Sequence, residues 1–312
     1  MQRIDLHLHS TCSDGTMSPE ELVAEANRLG ISAISITDHD TTAGTDVAMA
    51  AGRKRGIEII AGIELSACHD DTPLHILGYG FCHTSADLQK KLAAIQVARQ
   101  QRNDAILSNL AALGITLSRE ELRQRAGDGQ TGRPHIAALL VEKHVVRTPD
   151  EAFARYLRRG GLAYAERQQL AAADAIALIR EAGGIAVLAH PLSPDRTVAA
   201  LPVLLEQLRD LGLGGAEAYY PTYSAAEQKT IVACCRELGL LVTGGSDFHG
   251  TARNGVGLGG GKKHRVPYEL YAELIKRLEA APLSGGTTAA LSLATAFLRA
   301  DDRSAKKTEH VT

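Results

Sequence analysis

The sequence lacks most of the features that mark specialised protein classes. Aromatic residues make up 4% and tryptophan is absent. No stretch approaches the roughly 18 uninterrupted apolar residues of a spanning helix, and MQRIDLHLHS has no apolar core behind a basic start. We therefore expect a cytoplasmic protein with no membrane partner. Lys plus Arg number 34 against 36 Asp plus Glu, so no whole-molecule field favours long nucleic acid, and any anion must be held locally. Cys12, Cys68, Cys82, Cys234 and Cys235 are odd in number, form no CxxC and include a vicinal pair. That excludes a regular disulfide framework. No GxSxG elbow is present. Residues 255–260 (GVGLGG) match a dinucleotide-binding glycine spacing, but they neither directly follow a strand nor clearly open a helix, so we read a flexible loop at the mouth of the fold.

What is present is a rhythm. The segment 3–9 alternates as a strand, and Ser18-Pro19-Glu20-Glu21 supplies an N-cap, a first-turn proline and a capping-box glutamate for a helix ending at Gly30. An apolar run at 31–36, a helix near 42–55, and strands at 57–65 and 74–80 follow. The pattern returns with helices near 171–182, 199–211 and 225–238, each preceding an apolar run at 185–190, 214–220 and 240–249. Strands alternating with helices imply parallel βα units, and about seven strands suit a barrel. The interval 98–160 breaks the rhythm: it is helical, arginine-rich and without a strand. We expect an α/β fold, with residues 1–97 and 161–285 forming a discontinuous barrel and 98–160 a helical insertion over its mouth. A helix and a disordered polar tail would occupy 286–312.

Twelve histidines stand out against this background. His7 and His9 are two apart on a strand and point to one face. Alone, such a pair fits packing as well as metal binding. Asp14 follows, and the remaining His/acid clusters lie at expected strand ends: His39 within Thr37–Asp40, Glu64, His75, His190, and Asp247 with His249. In a parallel barrel those ends converge on one mouth. Six imidazoles and three carboxylates exceed what one ion can use. Two or three divalent ions would share them, and N/O donors without thiolate suit Mn, Zn or Fe. The surplus positive charge would draw a phosphate.

These motifs, DLHLHS, TDHD, AHP and SDFH, with GIE and the histidine of LHILGYG between them, resemble the polymerase and histidinol phosphatase family of metal-dependent phosphoesterases. The resemblance implies a distorted (β/α)7 barrel with a trinuclear centre. His7, His9, Glu64 and Asp247 would hold one metal, Glu64, His75 and His190 a second, and Asp14, His39 and His249 a third. Asp14, His39, Glu64, His190, Asp247 and His249 would then carry catalysis, with a hydroxide between two ions attacking phosphorus. A histidine, Asp38, Asp40 or metal-bound water would protonate the leaving oxygen.

Within the insertion, Thr131-Gly132-Arg133-Pro134-His135 displays a guanidinium and an imidazole at a turn, either to grip a second phosphate or as a solvated loop. Lys143, Tyr156 and Arg158 are weaker candidates. TGRPH inside a helical insertion is similar to a bacterial subfamily that removes the 3′-phosphate from nucleoside 3′,5′-bisphosphates, whose relatives also trim short RNA. That implies a small nucleotide substrate, with Arg133 and His135 holding the 5′-phosphate. Histidinol phosphatase, a 5′-3′ exonuclease on short RNA, and a non-catalytic metal-binding module are the alternatives. Tyr219, Tyr220 and Tyr223 follow a strand and suit either packing at the rim or stacking on a base.

Overall fold

The structure, a computed structural model, describes residues 2–127, 129–166, 170–192, 197–252, 255–260 and 265–280. The helix and tail expected at 286–312 lie outside the described residues. The chain begins β1 (Arg3–Leu8), α1 (Pro19–Arg28), β2 (Ala33–Ile36), α2 (Thr45–Arg55), β3 (Glu58–Ile59), β4 (Gly62–His69) and β5 (Thr72–Tyr79). Helices α3 (Ala86–Ala112), α4 (Arg119–Ala126), α5 (Arg133–Glu142) and α6 (Pro149–Ala152) follow, the last running into a π-helical turn at Phe153–Leu157. The chain continues through β6 (Leu170–Ala171), α7 (Ala172–Glu181), β7 (Ile185–Leu188), α8 (Leu201–Asp210), β8 (Gly215–Tyr219), α9 (Ala225–Glu237) and β9 (Leu241–Gly244). β10 (Val266–Pro267) and α10 (Tyr268–Ala280) complete the described elements.

Local chemistry accounts for the helix boundaries. Ser18 and Glu21 form a reciprocal capping box at the start of α1, as the sequence predicts, and Ser224 with Glu227 does the same for α9. Each box satisfies two N-terminal backbone donors that would otherwise lack a partner.

Two sheets result, ordered β10-β1-β2-β3 and β6-β4-β5-β7-β8-β9. Strands β1, β2 and β3 are parallel, as are β7, β8 and β9. Isolated bridges join the sheets' rims, His39 with Glu64 and Leu8 with Phe248. The backbone bonds Asp40 N–H to Glu64 O (3.0 Å) and Asp247 N–H to His7 O (2.8 Å) cross the same seams.

The uniformly parallel reading fails at two points. The single strand expected at 57–65 is divided: β3 stays with β2, and β4 passes to the second sheet. Gly62 permits the crossing, because a Cβ there would overlap the Ser35 side chain and Ile36 carbonyl. β5 then returns antiparallel to β4 and also runs antiparallel to β7. The connection is a two-residue turn, Asp70-Asp71, with φ of 46° and 57°, the left-handed pair a tight hairpin needs. A parallel return would need a crossover of a dozen or more residues, which the gap does not contain. Accordingly His75 does not sit at a strand's C-terminal end. It lies in the first half of an antiparallel strand, which aims it at the same rim.

The glycine-rich segment also departs from expectation. Leu258 and Gly259 are buried, and the Gly259 N–H donates to Asp5 Oδ2 at 2.7 Å. It is anchored against β1 rather than loose at the mouth.

Helix α3 links two bodies of core. Leu88 and Leu92 pack beneath β4, β5 and α7, while Ile106, Leu107 and Leu110 join a second cluster with Leu122, Ile136, Leu140 and Leu157. Position 97, the expected limit of the first segment, falls within this helix. No helix among the described residues is long and apolar enough to cross a membrane.

Gly245 marks a close approach to the rim, since a Cβ there would overlap His7. Gly245→Ala should push β1 and β9 apart, costing about 1–3 kcal/mol by overpacking and weakening metal uptake through His7. Urea unfolding and metal content of the purified variant check this; unchanged values for both would refute it.

Candidate metal centre

All nine predicted ligands gather at the rim where the sheets meet. Glu64 occupies the middle, 1% exposed on its side chain. Its Oε1 lies 2.8 Å from His75 Nδ1 and 3.1 Å from His190 Nε2. Its Oε2 lies 3.4 Å from His7 Nε2 and 3.1 Å from both His9 Nε2 and His39 Nδ1. Asp247 Oδ1 faces His7, His9 and His249 at 3.5, 3.2 and 3.5 Å. Asp14 faces His9 at 3.6 Å, His249 at 3.4 Å and His39 at 3.8 Å.

Three sets of side chains present ligand atoms close enough to share an ion: His9, Asp14, His39 and His249; His7, His9 and Glu64; His39, Glu64 and His75. They overlap more than the partition implied by the family resemblance, with His9 and His39 each serving two sets. Among the described residues, the buried His7 Nε2, both His9 ring nitrogens, His39 Nδ1 and Glu64 Oε2 have no hydrogen-bond partner. Buried polar atoms are rarely left so. Here ring nitrogens and a carboxylate oxygen converge instead of pairing, which is the disposition that divalent cations satisfy. The donors are imidazole and carboxylate, so the residues fit the metal chemistry expected of them.

The charge balance agrees. Burial alone would raise the carboxyl of Glu64, but the imidazoles of His39, His75 and His7 hold it well below its ordinary range. Burial is opposed in the same way at Asp14, chiefly by His39 and His249, and at Asp247, chiefly by His7 and His9. Burial would lower His9 too, yet Asp247 and Glu64 push it up to about 10. At His39 burial prevails over Glu64 and Asp14 and pushes the imidazole down to about 3.

A second layer holds these ligands, and much of it escaped the sequence reading. Glu217, fully buried on β8, meets His7 Nδ1 at 3.0 Å and accepts the His190 backbone N–H at 2.8 Å. Tyr220 donates to Asp247 Oδ2 at 2.7 Å. A carboxylate inside the apolar run GGAEAYY was the available signal. Asp38, buried, accepts from Ser10 N–H, Ser10 Oγ and Ser13 Oγ at 2.7, 2.6 and 2.5 Å. Asp40 accepts the Ser66 N–H at 2.9 Å and pairs with Arg99. Both flank His39 as structural anchors, and neither lines the cavities beside the cluster. That argues against either as the leaving-group acid.

Two cavities open on the cluster. One, of about 560 Å³, is lined by Asp14, His39, Glu64, His75, His190, Asp247 and His249 below. Arg125, Pro134, Ala138 and Phe153 of the helical segment line its other side. A smaller one, of about 160 Å³, shares Asp14, His39 and His75 and adds Arg99, Arg102 and Arg133. Arg99 and Arg102 lie three apart on α3 and so share a face.

The remaining candidates are distributed unevenly. His135 accepts the Gly132 N–H on Nδ1 at 3.1 Å, and burial lowers its pKa. Lys143 is tied to Glu121 and the Thr116 carbonyl, away from the cluster. Tyr156 is buried in the helical core, its hydroxyl accepting from Arg155. Arg158 is exposed and lines neither cavity. Tyr223 is occupied by the Leu192 N–H at 2.8 Å.

A model of the PHP domain matches residues 5–140. The chain is 34% identical over 248 residues to a 5′-3′ exoribonuclease of Haemophilus influenzae, covering 80% of this chain and 90% of the relative. It is 31% identical over 260 residues to a 3′,5′-nucleoside bisphosphate phosphatase of Chromobacterium violaceum, covering 83% and 91%. A phosphoribosyl 1,2-cyclic phosphate 1,2-diphosphodiesterase of Eggerthella lenta is 32% identical over 251 residues, covering 79% and 94%. A crystal structure from Bifidobacterium adolescentis, described as a metal-dependent phosphoesterase, superimposes with a TM-score of 0.80 at 29% identity, covering 88% of this chain and 96% of that one.

The imidazole charges give a pH prediction. Without metal, His9 contributes stability fully below its ordinary value of 6.5 and loses it as pH rises through about 10. Glu64, Asp14 and Asp247 contribute above the ordinary carboxylate range and lose it as pH falls below that range. Metal must displace the His9 proton, so uptake should release protons and tighten as pH rises from about 6 to 9. Calorimetry in buffers of different ionisation enthalpy measures this; binding without proton release would contradict the assignment.

Proposed function

Because the chain belongs to the PHP family and is a metal-dependent phosphoesterase, we propose that it removes the 3′-phosphate of nucleoside 3′,5′-bisphosphates to give the 5′-nucleotide. Adenosine 3′,5′-bisphosphate represents the substrate class. Two or three divalent ions, Mn before Zn or Fe, would be held by the nine rim side chains. When bound, such ions neutralise phosphoryl oxygens and activate water near neutral pH. We read strands β1, β2, β4, β5, β7, β8 and β9, which lie in two sheets linked by the two isolated bridges, as the distorted seven-stranded barrel. Residues 98–160 act in this reading as an insertion that covers its mouth.

The observation carrying the bisphosphate reading is the arginine-lined cavity that shares Asp14, His39 and His75 with the cluster. Its guanidinium groups supply what a second phosphate requires within a protein of net charge −2. Arg133 leads this grip, with Arg99 and Arg102 beside it and His135 supporting the turn at Gly132. The 560 Å³ cavity gives the nucleoside room between the rim and Pro134, Ala138 and Phe153. Release of nucleotides from short 5′-phosphorylated RNA is the second reading, supported by the name of the Haemophilus relative.

Metal-loaded protein should release phosphate from adenosine 3′,5′-bisphosphate at least roughly tenfold faster, per kcat/KM, than from 3′-AMP, 5′-AMP or histidinol phosphate. Comparable turnover of 3′-AMP would remove the two-phosphate requirement, and faster nucleotide release from short RNA would favour the second reading. Arg133→Ala should erase most discrimination for the 5′-phosphate, a loss of about 1.5–3 kcal/mol for a charged hydrogen bond. An unchanged preference would reassign the grip.

A further inference from the structure

Strand β8 supplies none of the nine candidate ligands, yet it and the residue after it reach three of them, His7, His190 and Asp247. Glu217, in its centre, is fully buried. One carboxylate oxygen meets Nδ1 of His7 on β1 at 3.0 Å. The other accepts the backbone N–H of His190 at 2.8 Å. His190 has φ of 28°, a conformation that residues other than glycine rarely adopt and that needs surrounding support. Just past the strand, the Tyr220 hydroxyl takes Asp247 Oδ2 at 2.7 Å.

An ionised carboxylate only accepts hydrogen bonds. With Glu217 against Nδ1, that nitrogen is the one that keeps its proton in the neutral ring, which makes the Nε2 lone pair the one open to a metal. Nε2 is the atom that faces Glu64 Oε2 at 3.4 Å and Asp247 Oδ1 at 3.5 Å, and it has no hydrogen-bond partner. Tyr220 acts in parallel by occupying one oxygen of Asp247. The other oxygen remains turned toward His7, His9 and His249. Glu217 belongs to none of the sets of side chains that could hold an ion.

We propose that Glu217 is a positioning residue for the metal centre: it fixes which His7 nitrogen keeps its proton and secures the His190 backbone, with Tyr220, the residue after the strand, orienting Asp247. This rests on the metal-dependent reading of the cluster and not on the choice of phosphate ester. A purely structural role makes a different prediction: its loss would lower fold stability and leave the zinc affinity of the folded protein unchanged.

Glu217→Gln separates the two. Glutamine keeps the shape but has one acceptor for two donors. Its amide N–H₂ must then face either the His190 N–H or His7 Nδ1. The latter choice moves the His7 proton to Nε2 and blocks the ligand position. Titration of metal-free protein with Zn²⁺ against a chromophoric chelator should show roughly 10–100-fold weaker binding in Glu217→Gln, the range for supporting partners of metal-bound histidine. The metal-free variant loses one partner of a buried pair and should melt lower, so circular dichroism first establishes that it is folded at the titration temperature. Equal zinc affinity in a folded Glu217→Gln protein would overturn the proposal. Should that variant fail to fold, Tyr220→Phe tests the same strand, with weaker zinc binding expected and unchanged binding overturning it. A failed preference for bisphosphates would leave the zinc titration unaffected, so the two readings fail separately.

Discussion

The structure turns on one carboxylate. Glu64 is buried and faces five imidazoles, those of His7, His9, His39, His75 and His190, at 2.8–3.4 Å. Such a group is tolerable inside a protein only if its charge is matched. The histidines match it in part, and the unpartnered nitrogens around it create a demand for cations. The position of Glu64 follows from the division of one apolar run between two sheets. Gly62 lets β4 approach β2 closely enough for the His39–Glu64 bridge, and the Asp70-Asp71 turn then folds His75 back beside it.

Around that centre, the motif residues divide into two kinds of work. His39 points into the cluster while its neighbours Asp38 and Asp40 bind backbone and hydroxyl donors of the loop after β1 and of β4. Asp40 also pairs with Arg99 of α3. The helical segment is thereby tied to the loop that carries a ligand, and three arginines come to the edge of the cluster. A chain of net charge −2 thus gathers guanidinium groups at one edge of the cluster without any general basic character.

Much of this was legible beforehand for a simple reason. Metal-binding motifs and helix caps are local: residues a few positions apart carry both the chemistry and its spacing. DLHLHS, TDHD and SDFH announce ligands, and Ser18 with Glu21 announces a helix start. Buried support is not local. Glu217 contacts a residue 210 positions away, and nothing around it in GGAEAYY distinguishes a ligand support from a strand's chance acidic residue. Lys143, Tyr156 and Arg158 show the converse. Their residue types suggested substrate contact, whereas Glu121, the helical core and solvent claim them.

The amino-acid order by itself determined the candidate ligand set, much of the alternation of strands and helices, and the presence of a helical stretch within it, because side-chain chemistry and short-range periodicity reside in neighbouring residues. Tertiary structure alone decided the antiparallel course of β5, the sharing of His9 and His39 between ligand sets, the arginines brought to the rim from α3, and the support offered by β8. Those features depend on which strands meet across a seam. Register and burial set that pairing over separations that no local pattern encodes.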